Sequence, residues 1–521
     1  MEERLQLLAE LLVKNGLKYA FGITGSGYSI TLITELENHG VLYFPASHEA
    51  SAALMAGAVT KASETFSLSI GIKGPGLANM FPGIVSNYFE NIPALSASEA
   101  FGIETPSYRK HKRLDHYAFL SSIAKGFISL SELEDGLTDL LQIAKREVPG
   151  PVHLDLCLSD RLNNQMTNRI AKSASRQNDH AKGEFFRNLA KSEKPVLIVG
   201  SLVSRRSYGK YLQNLRIPVF TTASAKGVLD ERHAHCAGVY TGVGRELAPE
   251  SKLFGRADLI IAMGLRNTEV IQPRSLGKPL IMFDEVDHGL SEGFNPDVLL
   301  IGSKNIATDI FIEIQDKSWG MDIIQNLLTR LKNHLLSDAW LPATCFDILN
   351  RLNFPHGLVL DTGSFCAVGE HLWQAGADRY FMGSSNGRYM GASIPSAVGV
   401  AICRPGLPVF CAMGDGGMHM YPAEIKLAVQ ERLPICFLFM TDGRYGSILS
   451  QLQSKTITRR AIDILQPSWF RSIEAMGCEV RRVRSENTFE RTLATWNREG
   501  PLFIENPFNP EVYANMVSKV R

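Results

Sequence analysis

Two aspartates next to glycine stand at the ends of neighbouring apolar runs, and they constrain the fold more than any other feature of the chain. Asp415 follows the run Val409–Met413, and Asp442 follows the run Ile435–Met440. The residues between them predict a helix and then a strand. With the strand before Asp415, these elements make a βαβ unit. Both loops of such a unit emerge at the carboxyl edge of a parallel sheet, where ligands bind. We therefore expect the two carboxylates to lie side by side.

A pair of carboxylates at this edge suits one divalent cation held against a phosphate. Oxygen ligands of this kind are those that Mg²⁺ prefers. Gly414 and Gly416 let the backbone approach the phosphate closely, and the amides that open the following helix point towards it. An ordinary βα turn is the better explanation of one such motif alone, but a second aspartate at matched spacing favours the phosphate site.

Length and composition predict a multidomain globular protein without nucleic-acid or membrane partners. The 521 residues suffice for about three domains of ordinary size. Hydrophobic residues make up 45% of the chain, charged residues 21%, and the formal net charge is +1, so no basic surface is expected. The chain lacks a signal-peptide pattern at its start and an apolar run of transmembrane length. Eight cysteines without CxxC spacing argue against zinc and predict free thiols in the cytoplasm.

Short β-rich runs alternate with helical patterns in three blocks, which predicts an α/β fold of three doubly wound parallel-sheet domains. We place these domains at residues 1–165, 186–335 and 340–521, and a polar, linker-like stretch at 159–182. The first and third blocks share glycine-rich loops after strands, so a duplicated scaffold is possible. The predicted strands are Lys18–Gly22, Val41–Phe44, Leu68–Ile72, Val152–Leu156, Pro195–Gly200, Pro218–Thr222, Asp258–Gly264, Pro279–Phe283, Leu358–Asp361, Val409–Met413, Ile435–Met440 and Leu502–Glu505.

Two further motifs in the first block combine polar side chains with glycine loops. Glu49 follows His48 at the start of a small-residue helix, and Asn79 follows the loop Gly74-Pro75-Gly76. A glutamate at a helix N-terminus also complements the helix dipole, and a glycine loop also serves as a turn. Each motif alone has this structural explanation, but their combination with the paired aspartates does not.

In this order the motifs resemble the thiamine-diphosphate-dependent family of acetolactate synthase, pyruvate decarboxylase and benzoylformate decarboxylase, over nearly the whole chain. The resemblance implies a pyrimidine-binding first domain, a central domain and a diphosphate-binding third domain, with thiamine diphosphate and Mg²⁺ as cofactors. The segments that carry it are Phe21–Ser26, His48-Glu49, Gly74–Asn79, Ile92-Pro93, Thr221–Val228, Ala257–Gly264, Asp361–Ser364, Met390–Pro395 and Gly414–Gly416.

The resemblance also implies roles for individual residues. Glu49 hydrogen-bonds the aminopyrimidine ring and activates the cofactor, which itself supplies the carbanion chemistry. Met390 holds the cofactor in a folded shape, with core packing as the alternative, and the carbonyl of Arg388 receives the exocyclic amine. The implied metal ligands are Asp415, Asp442 and the carbonyl of Arg444. The other implied cofactor-binding residues are Ser26, Asn79, Ser364, Gly414, Gly416, Gly417, Met418, Tyr445 and Gly446.

The same family builds each site from the first domain of one subunit and the third domain of another. The resemblance therefore implies an obligate homodimer, which in this family is often doubled into a tetramer. One departure from the family is that Thr441-Asp442 replaces the usual pair of asparagines. Aspartate keeps an oxygen ligand for Mg²⁺ but adds a negative charge that repels the diphosphate.

Charged residues near the glycine loops predict the substrate pocket. Lys73 stands where acetolactate synthases have a small polar residue, and its cation suits a carboxylate, sulfonate or phosphonate group. The run Arg109–Arg113 either serves the same purpose or lines a solvated loop. His111, His116 and His419 are candidates for proton transfer, and a hydrogen-bonded structural histidine is the alternative for each.

We therefore predict a thiamine-diphosphate-dependent lyase or transferase that decarboxylates a 2-oxo acid and transfers the acyl unit to a second carbonyl. Its catalytic or substrate-contacting residues are Glu49, Lys73, His111 and His419, and an anionic substrate is included. Simple non-oxidative decarboxylation and a catalytically degenerate or regulatory subunit are the alternatives. FAD is not assigned, because the central block lacks a G-x-G-x-x-G fingerprint.

Overall fold

The computed structural model describes residues 1–102, 105–109, 111–158, 179–337, 339–451, 458–465, 467–516 and 520. These residues form three six-stranded sheets with helices around each. Neighbouring strands in all three sheets are parallel. The predicted α/β fold of three doubly wound parallel sheets is confirmed. In this part of the chain, no helix is long and apolar enough to cross a membrane.

The first sheet has the strand order β2-β1-β3-β4-β6-β5. Its strands are β1 (Tyr19–Gly22), β2 (Leu42–Pro45), β3 (Leu68–Gly71), β4 (Leu95–Glu99), β5 (Phe127–Ser129) and β6 (Val152–Leu156). The helices around it are α1 (Glu2–Lys14), α2 (Tyr28–Asn38), α3 (Glu49–Ser63), α4 (Pro75–Phe89), α5 (His116–Leu120) and α6 (Leu133–Lys145), with a 3₁₀ turn at Leu130–Glu132.

The central sheet has the order β12-β11-β10-β7-β8-β9, which is the strand order of a dinucleotide-binding fold. Its strands are β7 (Pro195–Val199), β8 (Val219–Thr221), β9 (Cys236–Val239), β10 (Leu259–Met263), β11 (Leu280–Asp284) and β12 (Val298–Ile301). Its helices are α7 (Asp179–Lys191), α8 (Ser201–Arg205), α9 (Gly209–Leu212), α10 (Glu250–Arg256), α11 (Ser291–Phe294), α12 (Lys304–Ile314) and α13 (Met321–Leu335), with a 3₁₀ turn at Ala223–Ala225.

The third sheet has the order β14-β13-β15-β16-β18-β17. Its strands are β13 (His356–Leu360), β14 (Arg379–Gly383), β15 (Val409–Gly414), β16 (Ile435–Thr441), β17 (Glu479–Arg482) and β18 (Leu502–Pro507). Its helices are α14 (Pro342–Asn350), α15 (Ser364–Leu372), α16 (Ser393–Cys403), α17 (Asp415–Met418), α18 (Ile425–Gln430), α19 (Gly446–Gln451), α20 (Trp469–Ala475), α21 (Glu486–Thr495) and α22 (Pro510–Asn515), with 3₁₀ turns at Pro422–Glu424 and Arg459–Ala461.

The first and third sheets share one topology. Counted from the first strand of each, both sheets have the order 2-1-3-4-6-5. The order in which strands are added to each sheet reverses between the first and third strands. Such a switch point is where a crevice for ligands opens. The loops after β1 and β3 therefore correspond to the loops after β13 and β15.

Every strand predicted from the sequence is present, with ends that differ by at most two residues. The linker prediction is partly wrong, because helix α7 already begins at Asp179; residues 159–178 lie outside the described part of the chain. Six short strands were not predicted, and among them β4 lies inside the first sheet.

Helices α3 and α16 join the first and third domains through one apolar core. Met55 and Val59 of α3 belong to the same buried cluster as Ile394 and Val398 of α16. The helices approach closely because both are rich in small residues. A Cβ atom at Gly399 would lie 2.6 Å from the carbonyl oxygen of Met55, a distance that a rigid backbone cannot relieve easily.

We predict that Gly399→Ala separates α3 from α16 and lowers stability by about 1–3 kcal/mol, as overpacking usually does. Thermal unfolding would show this as a fall in Tm. Gly255→Ala is the matched control, because Gly255 is in helix α10 and a Cβ there meets nothing within 4 Å. The control should raise Tm or leave it unchanged, and an equal loss in both variants would contradict the prediction.

Candidate functional site

The register of β15 and β16 brings the two predicted aspartates together. Gly414 pairs with Met440 across the ladder, so the residues that follow these strands are neighbours. The hydroxyl of Thr441 donates to Oδ1 of Asp415 at 2.5 Å, and the amides of Asp442 and Gly443 donate to its Oδ2 at 3.0 and 3.1 Å. These donors fix the orientation of the Asp415 carboxylate.

Asp442 has an environment that disfavours its negative charge. Burial, and then the nearby charge of Asp415, raise the pKa of Asp442 to about 7. Two carboxylates that repel each other in one buried place are stabilised by a bound cation. The pair therefore has the ligands and the charge that a divalent metal needs.

A cavity of about 70 Å³ opens beside this pair. The cavity wall has no room for a side chain at Gly416. A Cβ atom there would lie 2.5 Å from Sδ of Met390 and 2.7 Å from Cε1 of Tyr445. Only glycine lets these two side chains approach the backbone so closely. The predicted residues that line this cavity are Ser364, Met390, Gly414, Asp415, Gly416, Gly417, Asp442, Arg444, Tyr445 and Gly446.

Two predicted cofactor-binding residues of the third domain, Met418 and Arg388, do not line this cavity. The side chain of Met418 is fully buried in the core between the first and third domains. Arg388 has a left-handed backbone, with a φ of 48°, and its guanidinium pairs with Glu370 at 2.9 Å. For both residues the predicted contribution is a backbone group, so these placements do not test it.

Asp361 is a buried positioning residue that the sequence analysis left without a role. Its carboxylate accepts hydrogen bonds from the amide of Gly391 at 3.0 Å and from the hydroxyl of Ser393 at 2.9 Å. These bonds attach the Met390 loop to the carboxyl end of β13. The position of Asp361 directly after an apolar strand could have indicated its role, because Asp415 has the same position after its own strand.

Glu49 is the first residue of α3, and its side chain is buried. The helix is capped by His48, whose Nδ1 accepts a hydrogen bond from the amide of Ala50 at 3.0 Å. Nδ2 of Asn79 donates to Oε2 of Glu49 at 3.2 Å. The two residues that the sequence analysis took from separate motifs are thus in contact.

The third domain of the same chain holds the start of this helix. Glu424 is buried, and its Oε1 accepts a hydrogen bond from the amide of Ser47 at 2.9 Å. Burial raises the pKa of Glu424 to about 7. Nearby, the rings of His48 and Tyr421 lie 5.8 Å apart. No local pattern marks Glu424, because its partner Ser47 is 377 residues away in the chain.

A second, larger cavity of about 500 Å³ lies at the carboxyl edge of the first sheet. It is lined by loops after β1, β3 and β4. The predicted site residues Ser26, Lys73 and His111 line it, together with Arg109, Lys112 and the carboxylate of Glu99. Nζ of Lys73 lies 3.4 Å from Oε2 of Glu99. Among the residues that the structure describes, none lines both this cavity and the one beside Asp415.

The three predicted histidines lie in different environments. His111 is exposed and lines the larger cavity. His419 is exposed, its Nδ1 is 2.7 Å from the carbonyl oxygen of Asp415, and its ring meets Trp469 edge-on at 5.2 Å. His116 is buried, and its Nδ1 lies 2.6 Å from Oδ1 of Asp155. This environment is that of a hydrogen-bonded structural histidine.

Comparison with known proteins supplies the family. Residues 4–112 match the N-terminal TPP binding domain of thiamine pyrophosphate enzymes, residues 184–306 match their central domain, and residues 361–506 match their C-terminal TPP binding domain. The chain belongs to the thiamine-pyrophosphate-dependent enzymes.

Among the relatives of this thiamine-pyrophosphate-dependent enzyme are several acetolactate synthases. The acetolactate synthase of Bacillus subtilis (strain 168) is 23% identical, over 98% of this chain and 94% of its own. The probable acetolactate synthase large subunit of Methanococcus aeolicus is 21% identical, over 95% and 90%. The acetolactate synthase isozyme 3 large subunit of Escherichia coli (strain K12) is 23% identical, over 91% and 88%.

Two buried cations of the central domain, Arg266 and Lys226, form ion pairs within the protein. Arg266 is fully buried and forms ion pairs with Glu147 and Asp284. Lys226 forms an ion pair with Glu231, and its Nζ donates to the carbonyl of Glu370 at 2.9 Å. Both charges are thus matched by carboxylates of the chain itself.

We predict that Glu424→Gln flattens the dependence of stability on pH. A carboxyl whose pKa is about 7 when folded and about 4.3 when unfolded holds its proton more tightly in the folded state. Its contribution to stability is therefore present below about pH 4 and is lost as pH rises to about 7, by about 3 kcal/mol at most.

The measurement is Tm from pH 5 to pH 8 for the native protein, Glu424→Gln and the exposed control Glu431→Gln. The Tm difference between the native protein and Glu424→Gln should change across this range, and the Glu431→Gln curve should run parallel to that of the native protein. Three parallel curves would show that Glu424 keeps an ordinary pKa.

Proposed function

We propose that this enzyme decarboxylates a 2-oxo acid with thiamine diphosphate and Mg²⁺ and transfers the resulting acyl unit to a second carbonyl compound. The observation that carries the proposal is that the buried Asp415 and the half-buried Asp442 lie together beside the Gly416 cradle. This pair fits a divalent cation with a diphosphate next to it. The similarity to acetolactate synthases over nearly the whole chain supports acyl transfer as the reaction.

The residues around the smaller cavity suit the diphosphate end of the cofactor. Asp415, Asp442 and the carbonyl of Arg444 hold Mg²⁺ in this proposal. The hydroxyl of Ser364 and the amides of Gly416 and Gly417 hold phosphate oxygens. Met390 supports the middle of the cofactor from the position where its Sδ already approaches Gly416.

Glu49 binds the aminopyrimidine end in this proposal. When bound, the cofactor supplies an electron sink for the carbanion that decarboxylation produces. The Glu49 carboxylate keeps a proton at the aminopyrimidine ring, and the hydrogen bond from Asn79 keeps that carboxylate in one orientation. Burial of Glu49 excludes water, which strengthens this interaction.

We also propose a homodimer in which the first domain, residues 1–165, of one copy faces the third domain, residues 340–521, of another. The support is that the Asp415 cavity and the cavity of the first domain share no lining residue within the described part of the chain. Two copies related by a twofold axis would complete two sites at once.

The eight free cysteines support a reducing compartment such as the cytoplasm.

Isotopically labelled pyruvate tests the reaction. Acyl transfer gives a longer labelled product with a new carbon–carbon bond, whereas simple decarboxylation gives only labelled aldehyde. The proposed acyl transfer is wrong if aldehyde is the sole product in the presence of an acceptor such as a second pyruvate. A subunit without catalysis would release no carbon dioxide at all.

We predict that Glu49→Gln lowers turnover by about a hundred- to ten-thousand-fold, the usual contribution of an acid–base group. The rate of C2 proton–deuterium exchange of bound thiamine diphosphate should fall with it, while cofactor binding remains. Glu64→Gln, at the exposed end of the same helix, is the control and should exchange normally. Unchanged exchange in Glu49→Gln would remove Glu49 from the proposal.

We predict opposite effects for the two aspartates on cofactor binding. Asp415→Ala should weaken binding of thiamine diphosphate with Mg²⁺ by about 10- to 100-fold, because a charged ligand is lost. Asp442→Asn keeps an oxygen ligand and removes the repulsion, so it should bind at least as tightly as the native protein. Isothermal titration measures both. Equal weakening in the two variants would contradict the metal assignment.

A further inference from the structure

The two cavities occupy corresponding places in two domains of the same topology. The cavity beside Asp415 is lined mainly by the loops after β13, β15 and β16, with Met390 from the loop after β14 and Tyr513 from α22. The cavity of the first domain is lined by the loops after β1, β3 and β4. These are the first, third and fourth strands of each domain. The first domain therefore has a ligand-binding edge of its own, at the position where the third domain has its proposed diphosphate site.

The charges at the corresponding positions differ. In the third domain the loops after the third and fourth strands supply two carboxylates, Asp415 and Asp442. In the first domain the loop after the third strand supplies Lys73 and the last residue of the fourth strand is Glu99, and their charged atoms are 3.4 Å apart. The positive charge that the third domain needs from a metal ion is thus part of the chain in the first domain.

Glu99 is satisfied by the protein, which leaves the lysine available to a ligand. The amide and the hydroxyl of Ser29 donate to Oε1 of Glu99 at 3.0 and 2.8 Å. Glu99 is buried, whereas the side chain of Lys73 keeps 30% of its surface exposed and lines the cavity. An ammonium group has three donors, so contact with Glu99 leaves others for a bound anion.

Further cations surround the same cavity and are held there by the backbone. Arg109, His111 and Lys112 line it, and Glu99 is its only carboxylate among the described residues. A Cβ atom at Gly74 would lie 2.3 Å from the carbonyl oxygen of Lys112, so the loop rests directly on the glycine turn after β3. The basic residues therefore have a fixed place at the rim.

We propose that this cavity binds a second anionic group on the substrate, a carboxylate, sulfonate or phosphonate, without a metal ion. The proposal rests on the proposed function, because the group belongs to a 2-oxo acid or to its acceptor. Lys73 contacts the anion directly, and Arg109 and Lys112 contribute at the rim. The substrate class is therefore a dianionic 2-oxo acid or an anionic acceptor, rather than pyruvate alone.

The first experiment measures binding of inert anions to the holoenzyme by isothermal titration. Phosphonoacetate and sulfoacetate should bind at least about tenfold more tightly than acetate, because each adds a charged group to the same carboxylate. Their binding should persist after EDTA treatment, whereas binding of thiamine diphosphate should not. Binding no tighter than that of acetate, or lost with EDTA, would overturn the proposal.

Variants assign this binding to the lysine. Lys73→Met should weaken phosphonoacetate binding by about 10- to 100-fold. Because that change leaves Glu99 without its cation, the double variant Lys73→Met/Glu99→Gln keeps the site neutral and should show the same loss if the single variant is unstable. Lys145→Met is the matched control. Nζ of Lys145 lies 4.5 Å from the ring centroid of Phe66, and this lysine is outside the cavity. Native affinity in the double variant would contradict the role of Lys73.

The second experiment separates this inference from the proposed function. Carbon dioxide release is measured from pyruvate, oxaloacetate, 3-sulfopyruvate and 3-phosphonopyruvate. The inference expects a higher kcat/KM for at least one dianionic acid, or for transfer to an anionic acceptor, and Lys73→Met should raise KM for that substrate much more than for pyruvate. Equal effects on all substrates would overturn the inference and leave the function standing. Tight anion binding without any carbon dioxide release would overturn the proposed function and leave only an anion-binding cavity.

Discussion

The parallel ladder between β15 and β16 is the constraint on which the candidate site depends. Its register places Gly414 opposite Met440, so that Asp415 and Asp442 emerge together with the donors that hold Asp415. A strand has a side-chain period of two, and a shift by one residue would turn these side chains to opposite faces. The apolar residues of both strands fix the register, because they are buried on both sides of the sheet.

The repeated topology of the first and third domains explains how one chain carries two different binding edges. Each edge lies at the switch point of its sheet, where the connections leave a crevice. The edges differ in charge, with paired carboxylates at one and a lysine beside a satisfied carboxylate at the other. The two domains are joined by α3 and α16 and by Glu424, so the helix that starts with Glu49 is positioned by the third domain of its own chain.

Most of the strand pattern was predictable, because interior strands of parallel sheets are continuous apolar runs bounded by glycine or aspartate. Strand β4, Leu95–Glu99, was missed although it lies inside the first sheet. It contains two serines, which are unusual in a buried strand. In the structure Ser96 and Ser98 lie 2.8 and 3.0 Å from the two ring nitrogens of His153, and no local pattern reveals a partner that is more than fifty residues away.

For the candidate site, local patterns singled out Asp415, Asp442, Glu49 and Lys73 as candidates, because each follows an apolar run or opens a helix. Such a pattern fixes which residues reach a sheet edge, since strand ends and loop positions are set by neighbouring residues. It does not fix which edge residues meet. Contacts such as Lys73 with Glu99 or Glu424 with Ser47 depend on strand order and on domain packing, which arise from burial of apolar surface across the whole chain.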